Sequence, residues 1–142
     1  MTGHRTLAII KPDAFARSNA GHIIALLEQR GFKVKAARVL RLSQAQAEAF
    51  YEVHRERPFY QSLTAFMTSG PCMPLVLQTE DAVPALREAI GATDPKEASD
   101  GTVRKLYAES KERNAIHASD SIENAAREIR FFFPDAELLA GI

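Results

Sequence analysis

Short apolar runs alternate with helical patterns along this chain, and consecutive runs lie too far apart to pair through a tight hairpin. Runs with the length and composition of strands lie at residues 5–10, 33–42, 72–78 and 129–133. The first, RTLAII, is short and continuously apolar, which predicts a strand buried on both faces. The second alternates at Val34 and Ala36 and then shifts to Val39, which predicts a long strand with one irregular point. In the third, Pro74 indicates an edge position or the start of the strand.

Most segments between these runs have the periodicity of amphipathic helices. Helical patterns are found in residues 21–31, 44–57, 59–71, 79–91, 103–110 and 122–129. Gly31 and Gly91 are typical of the left-handed residues that end helices. Ser43 and Gln46 predict a capping box, and Ser121 predicts the cap of the last helix.

The order of these elements predicts one domain over residues 1–142, an α/β sandwich of the split βαβ type. A chain of 142 residues is long enough for one sizeable core and too short for two ordinary domains. Its hydrophobic fraction of 46% and charged fraction of 25% are typical of globular chains. Residues 92–116 are the least periodic, and so long a connection in a compact domain is usually functional or mobile.

The charge balance and the cysteine content limit which partners and which cellular compartment we expect. The 18 Lys and Arg residues balance 18 Asp and Glu residues, so no net field favours nucleic acid or an anionic membrane. The single cysteine, Cys72, excludes an internal disulfide and fits a reducing compartment. The apolar stretch at residues 7–10 is too short for a signal peptide or a spanning helix. We therefore expect a cytoplasmic protein with no membrane partner and no specific nucleic-acid partner.

Several common catalytic motifs are absent from the sequence. The seven glycines form neither a Walker A loop nor a dinucleotide-binding fingerprint. The chain also lacks the His-Glu-x-x-His motif of zinc peptidases and the Gly-x-Ser-x-Gly motif of serine hydrolases. Any chemistry must therefore come from scattered polar residues.

Some of these residues are candidate ligands, although each has a structural alternative. Lys11 follows the first strand, where α/β proteins often place ligands, but it also fits a surface lysine at a helix start. Arg87, in an otherwise apolar helix, and Arg104, in the long connection, also fit solvated charges. Tyr51 and Phe59 flank a proline and also fit the core.

His117 differs from the other histidines because its neighbours are small or polar. In NAIHASDS, Ala115 and Ala118 leave the ring accessible, and the polar residues offer hydrogen bonds. These features suit a nucleophile, and an imidazole attacks well only if a partner such as Glu128 holds its other ring nitrogen. A loop histidine that caps a neighbour is the open alternative. The other histidines are predicted to be surface or capping residues: His4, His22 and His54.

Six segments of the chain form a family pattern: TLAIIKPDA, HRERPFY, FMTSGP, EAIGATDP, GTVR and NAIHASDS. In this order and spacing they resemble the nucleoside diphosphate kinases, and the resemblance covers nearly the whole chain. It implies a ferredoxin-like split βαβ fold, an α+β sandwich with an antiparallel four-stranded sheet and helices packed on it. It also implies transfer of the γ-phosphate of a nucleoside triphosphate to a nucleoside diphosphate, by a ping-pong mechanism through a phosphorylated His117.

The resemblance also implies roles for individual residues. The nucleotide ligands would be Lys11, Tyr51, Phe59, Arg87, Thr93, Arg104 and Asn114. Lys11 would also belong to the catalytic group with His117, Ser119 and Glu128, and Glu128 would bond the ring nitrogen that does not attack. The base would stack on Phe59, and stacking on one aromatic face tolerates any base, so we expect broad base specificity.

Mg²⁺ is the implied cofactor, bound mainly through the phosphates of the nucleotide rather than by metal ligands of the chain. A homo-oligomer is also implied. Ala118 stands where the family usually has glycine, and its Cβ restricts a positive φ, so we expect a slightly altered backbone there. KLY after GTVR also departs from the usual pattern, and the chain stops at Ile142, earlier than hexameric members do. We therefore favour a tetramer or dimer over a hexamer.

A nucleotide-binding scaffold of the same fold that has lost activity is a competing hypothesis. Retention of His117 together with Lys11, Arg87, Arg104 and Asn114 argues against it, because a scaffold does not need the nucleophile. A ferredoxin-like module for nucleic acid or small molecules is a third hypothesis. The balanced charge and the lack of a basic stripe argue against that one.

Overall fold

The computed structural model describes residues 3–140, and these residues form a four-stranded sheet. Its strands are β1 (Arg5–Ile10), β2 (Lys33–Ala37), β3 (Met73–Gln78) and β4 (Ile116–Ala118). They are ordered β2-β3-β1-β4, and each neighbouring pair is antiparallel. Because β1 and β2 both run antiparallel to β3, they are parallel to each other with β3 between them. This is the split βαβ arrangement, and the predicted fold class is confirmed.

Helices connect and cover these strands. The α-helices are α1 (Pro12–Ala16), α2 (Ala20–Gln29), α3 (Gln44–Phe50), α4 (Tyr60–Met67), α5 (Ala82–Ile90), α6 (Val103–Tyr107), α7 (Ile122–Phe132) and α8 (Asp135–Leu138). A short 3-10 helix, Glu52–His54, follows α3. The predicted caps are confirmed, since Ser43 and Gln46 form a reciprocal capping box and Ser121 accepts from the backbone of Asn124. Within residues 3–140, no helix is long and apolar enough to cross a membrane.

Strand β1 contributes to two hydrophobic cores, one on each face of the sheet. Leu7 and Ile9 pack with residues of α3, α4 and α7, whereas Ala8 and Ile10 pack with residues of α2 and α5. All four side chains are fully buried, which confirms the prediction for this strand. Because truncating a buried leucine or isoleucine to alanine costs about 2–5 kcal/mol, β1 is a firm support for the residues that follow it.

The fourth strand is not where the sequence pattern predicts it. Residues 129–133 do not form a strand, because α7 continues through them to Phe132. The buried residues of α7 include Ala125, Ile129 and Phe132, whose helical spacing prevails over the β propensity of the aromatic run. The fourth strand is β4 instead, in which Ala118 pairs with Ala8 of β1. Its three residues are too few to show the alternation by which a strand is recognised.

Strand β2 is shorter than predicted. The register shifts between Val34 and Ala36, which is earlier than the irregular point that we expected after Ala36, and the strand ends at Ala37. Beyond it, Leu40 makes an isolated bridge to Cys72. The pairing continues past the bulge to Ala37, and of the apolar residues that follow, Leu42 is buried whereas Val39 is 52% exposed.

Helix α3 also ends early, at Phe50 rather than near Arg57. Phe50 and Tyr51 are buried, but Val53 is 64% exposed, so the apolar stripe of this segment stops at Tyr51. A helix without an apolar face to pack gains little stability, and the chain turns into the 3-10 helix instead.

Pro74 is the second residue of β3, which confirms the strand-start alternative. The edge alternative is wrong, since β3 lies between β2 and β1. The residues of β3 that pair with β2 are Leu75 to Gln78. Pro74 lies outside this ladder, so its missing N–H costs no hydrogen bond there.

Candidate active site

A cleft of about 540 Å³ contains most of the residues that the sequence analysis selected. Its lining includes Lys11, Tyr51, Phe59, Arg87, Thr93, Arg104, Asn114, His117 and Glu128. Ser119 is fully buried and contacts Glu128 from behind the cleft. Residues from many parts of the chain therefore come together at one place.

His117 reaches the cleft from the middle of β4. Its neighbours Ile116 and Ala118 belong to one core, so the alternation of side chains along a strand turns His117 to the other face. There its ring lies edge-on to Phe50, with 5.3 Å between ring centroids, and to Tyr51, with 6.1 Å. The side chain is 19% exposed. Packing thus restrains the imidazole while one side of it stays open to the cleft.

A buried carboxylate orients this ring. Nε2 of His117 lies 2.7 Å from Oε1 of Glu128, and the hydroxyl of Ser119 donates to the same oxygen over 2.7 Å. Burial acts to raise the pKa of Glu128, but the hydrogen bonds from His117 and Ser119 outweigh it, and the pKa lies below its usual value. Because an ionised carboxylate only accepts hydrogen bonds, the proton of the neutral ring resides on Nε2 and the lone pair on Nδ1. This arrangement suits Nδ1 to act as a nucleophile.

Lys11 is a buried cation at the end of β1, and it is 6% exposed. Its Nζ donates to Oδ1 of Asn114 over 2.8 Å, and Nδ2 of Asn114 donates to the carbonyl of Thr93 over 3.3 Å. Burial, and after it the nearby Arg104, lowers the pKa of Lys11 to about 8. Since the partner of Nζ is a neutral amide, the charge of Lys11 is available to an anionic ligand.

Two arginines add positive charge to the same cleft. Arg104, on α6, donates to the carbonyls of Gly91 and Ile116 over 3.0 and 2.8 Å. Arg87, on α5, donates to the carbonyl of Ala118 over 3.3 Å. Burial, and after it the charge of Arg87, lowers the pKa of Arg104 to about 10, so Arg104 is still a cation at neutral pH. Together with Lys11, these arginines bring three of the cleft's cations together without a glycine-rich phosphate loop.

Two aromatic residues face the cleft differently. Tyr51 is buried, and its hydroxyl has no hydrogen-bond partner among residues 3–140. Burial, with the nearby carboxylate of Glu128, raises the pKa of Tyr51. Phe59, directly before α4, keeps 40% of its surface exposed. An unpaired hydroxyl can donate to a ligand, and an exposed ring can stack on one.

His54 lines the cleft as well, a role that its prediction as a surface or capping histidine did not include. Its ring lies 6.4 Å from that of Tyr51 and 5.4 Å from that of Phe59, centroid to centroid. Burial, with Arg57 and His117 nearby, holds the pKa of His54 below its usual value. The sequence signal for this position was the spacing of three residues between Tyr51 and His54, because a 3-10 turn brings residues at this spacing to the same side of the helix.

Three further charged residues of the cleft were not selected from the sequence: Lys111, Glu112 and Asp120. Asp120 accepts a hydrogen bond from Asn124 over 2.7 Å, and this bond holds the pKa of Asp120 below its usual value. Glu112 accepts from the hydroxyl of Ser62 over 2.9 Å, which links the long connection to α4. Asp120 lies inside NAIHASDS, so its closeness to the histidine was a signal. Lys111 and Glu112 had none, since only the tertiary structure brings them to the cleft.

The alanine after His117 does not need the backbone freedom of glycine. Ala118 belongs to β4, and it is not among the residues of the described chain with positive φ. The left-handed residue of this motif is Ala115, with φ 74°. A positive φ, which the Cβ of Ala118 would oppose, is therefore not found there, and its Cβ fits an ordinary strand position.

The fold and the cleft together define a class of protein, a ferredoxin-like sandwich that holds a histidine against a carboxylate in a cleft with several cations. The chain belongs to the nucleoside diphosphate kinase family, whose model matches residues 4–138. It is 54% identical over 134 residues to the nucleoside diphosphate kinase of Desulfatibacillum aliphaticivorans, and the match covers 94% of this chain and 97% of that protein. It is 55% identical over 138 residues to the nucleoside diphosphate kinase of Halorhodospira halophila, and the match covers 97% of this chain and 98% of that protein. A crystal structure of the Aquifex aeolicus nucleoside diphosphate kinase matches with a TM-score of 0.92 at 46% identity, covering 94% of this chain and 97% of that one.

Proposed function

We propose that this chain, acting as one kinase domain over residues 1–142, transfers the γ-phosphate of a nucleoside triphosphate to a nucleoside diphosphate through a phosphohistidine at His117. Membership of the family makes the chain a phosphotransferase between nucleotides. The observation that supports the histidine intermediate is the contact of 2.7 Å between Nε2 of His117 and Glu128, at the side of an open cleft. This contact leaves Nδ1 with the lone pair that such chemistry needs.

The proposed reaction has two half-reactions in one site. In the first, the lone pair of Nδ1 attacks the γ-phosphorus, and the bond from phosphorus to the β-phosphate oxygen breaks as the nucleoside diphosphate leaves. The ring then carries positive charge, which the carboxylate of Glu128 stabilises through Nε2. In the second, a terminal phosphate oxygen of another nucleoside diphosphate attacks the phosphorus, and the nitrogen–phosphorus bond breaks.

The cations of the cleft have a defined task in this proposal. The phosphoryl group in transfer spreads negative charge over its oxygens, and fixed positive groups lower the barrier by stabilising that charge. Lys11, Arg87 and Arg104 line the same cleft as His117 and supply these groups. Tyr51, Thr93 and Asn114 also line the cleft and offer polar groups for hydrogen bonds to phosphate and ribose.

Phe59 is the proposed stacking platform for the base. Its ring is exposed by 40% and carries no polar atom, so contact with it is possible for any purine or pyrimidine. Broad base specificity follows from this mode of recognition.

Mg²⁺ is the proposed cofactor, carried on the phosphates of the nucleotide. Among residues 3–140, no group of three or more His, Cys, Asp or Glu side chains is placed to hold a metal ion. The ionised carboxylate of Asp120 lines the cleft and suits a hard cation that keeps most of its ligands from phosphate and water. When bound, Mg²⁺ neutralises phosphate charge and so assists the cations of the protein.

Nucleoside tri- and diphosphates are the proposed partners, and a homo-oligomer is the proposed assembly, with a tetramer or dimer favoured over a hexamer. The proposed location is the cytoplasm, because nucleotides are abundant there and Cys72 is a free thiol. The balanced charge does not favour nucleic acid as a partner.

The proposal is tested by incubating the protein with Mg²⁺ and γ-labelled ATP and examining the label on the protein. We expect label that is lost in acid, stable in alkali and removed by a nucleoside diphosphate, because protonation of a phosphorylated ring makes it a leaving group. His117→Asn should take up no label.

His22→Asn is the matched control, because His22 is exposed and lies outside the lining of the cleft. It should be labelled as fast as the wild type. Label on His117→Asn equal to that of the wild type, or an unlabelled wild type, would reject the phosphohistidine mechanism.

A further inference from the structure

The segment that enters the strand of His117 contains a residue in an uncommon conformation. Ala115 has φ 74°, in the left-handed region that residues with a Cβ rarely adopt, and it is fully buried. It lies two residues before His117 and directly after Asn114. A conformation of this kind persists only where the surroundings hold it.

Ala115 is the central residue of a three-residue turn, in which the N–H of Ile116 donates to the carbonyl of Asn114 over 2.9 Å, and the turn after β1 binds the backbone of Ala115 itself. The backbone N–H of Lys11 donates to the carbonyl of Ala115 over 2.9 Å, and the N–H of Ala115 donates to Oδ2 of Asp13 over 3.1 Å. Both polar groups of the Ala115 backbone are therefore bound by residues 11–13. Asp13 is 7% exposed, so its carboxylate acts in the interior and not from solvent.

The placement of His117 depends strongly on this entry. Strand β4 has three residues and pairs with one neighbour, β1, so it has few ladder bonds of its own to define its position. A change of φ at Ala115 would turn the chain just before the strand and change the position of His117 relative to Asn114.

We propose that Asp13 is a positioning residue, whose carboxylate holds Ala115 in the left-handed conformation and thereby sets the positions of His117 and Asn114 in the cleft. Asp13 itself is not among the residues that line the cleft. The proposal rests on the assignment of His117 as the nucleophile. The proposed role does not depend on the negative charge of Asp13. It depends on the side-chain oxygen that accepts the hydrogen bond from the N–H of Ala115.

Four variants test this idea: Asp13→Ala, Asp13→Asn, Ala115→Gly and the double variant Asp13→Ala with Ala115→Gly. Asp13→Ala removes the acceptor, and we expect kcat to fall by about tenfold or more, because small misplacements of reacting groups have such effects. The Kd for ADP should rise by a smaller factor than kcat falls, because Phe59, Arg87 and Arg104 belong to other elements and keep most of the binding contacts. Asp13→Asn keeps an acceptor and should retain most of kcat.

Ala115→Gly makes the left-handed conformation favourable without help from Asp13. We therefore expect the double variant to recover at least about threefold in kcat over Asp13→Ala, whereas Ala115→Gly alone stays close to the wild type. A double variant as slow as Asp13→Ala would overturn the proposal. So would an Asp13→Asn variant as slow as Asp13→Ala, because charge would then be the relevant property.

Backbone chemical shifts of residues 114–118 give a readout that does not depend on activity. They should change in Asp13→Ala and return in the double variant toward those of Ala115→Gly, and unchanged shifts in Asp13→Ala would overturn the proposal. If the wild type takes up no label, the proposed function fails, while these shifts still decide the role of Asp13. If Asp13→Ala does not fold, the double variant is compared with it for recovery of folding, and no recovery counts against the role.

Discussion

At the scale of single residues, burial changes the acid–base properties of the groups that line the cleft. Lys11 is the strongest example, since burial lowers its pKa to about 8 from an ordinary value of 10.5. Between these two values the unfolded chain binds more protons at this residue than the folded one, so its contribution to stability rises with pH there. Its contribution to binding has the opposite sign, because a phosphate is attracted only to the protonated amine.

The pH dependence of activity should show this directly. We expect kcat/KM for a nucleotide to fall as the pH rises through about 8, because kcat/KM reports the pKa of groups in the free enzyme. Lys11→Arg should move the decline to higher pH, since a guanidinium keeps its proton there. Steady-state rates between pH 6 and 10 measure the effect. A wild-type profile that stays flat to pH 10 would contradict the assignment of Lys11.

At the scale of elements, the glycine after α5 supports the site through the backbone. Gly91 has φ +89° and ψ −179°, a region used almost only by glycine, and its carbonyl accepts from Arg104 over 3.0 Å. A Cβ at this position would lie 2.6 Å from Oγ1 of Thr102 and 2.9 Å from its Cβ. Both the conformation of the chain and the room around it therefore require glycine.

Three substitutions to alanine separate these requirements. Gly21→Ala, in a helix with nothing within 4 Å of the new Cβ, should stabilise by about 0.5–1 kcal/mol. Gly31→Ala has open space but φ +93°, and it should destabilise by about 1–2 kcal/mol. Gly91→Ala combines left-handed backbone with the clash and should cost about 2–5 kcal/mol. Urea unfolding measures all three, and a different order of stabilities would contradict the account.

At the scale of the whole molecule, exposed apolar side chains bear on assembly. Scattered apolar side chains are exposed on the surface: Val39, Val53, Leu106, Ile122 and Leu139. Single exposed residues are normal in monomers, so they do not define an interface.

We expect light scattering after size exclusion to give about two or four times the chain mass of 15.7 kDa. A mass of about six chains would reject the preference for a tetramer or dimer, and a mass of one chain would reject the homo-oligomer. The measurement is best made over a range of protein concentrations, because assembly follows mass action.

Features that depend on neighbouring residues were predictable from the sequence. The bounds of β1, the capping box at Ser43 and Gln46, and the glycine ends at Gly31 and Gly91 were all confirmed. Each has a local physical cause, namely continuous burial, reciprocal hydrogen bonds or positive φ. The cleft residues needed the family resemblance as well, since Lys11 or Arg104 alone also fits a surface charge.

Features that depend on packing between distant segments required the tertiary structure. Residues 129–133 have strand propensity, yet they complete α7 because Ile129 and Phe132 face a core made by other elements. His117 lies on a strand of three residues, which exists only because β1 pairs with it. The long-range contacts of His117 with Glu128 and of Ala115 with Asp13 depend on the assembled fold. Local composition was sufficient for elements and caps, while burial and pairing across the chain determined the fourth strand and the geometry of the site.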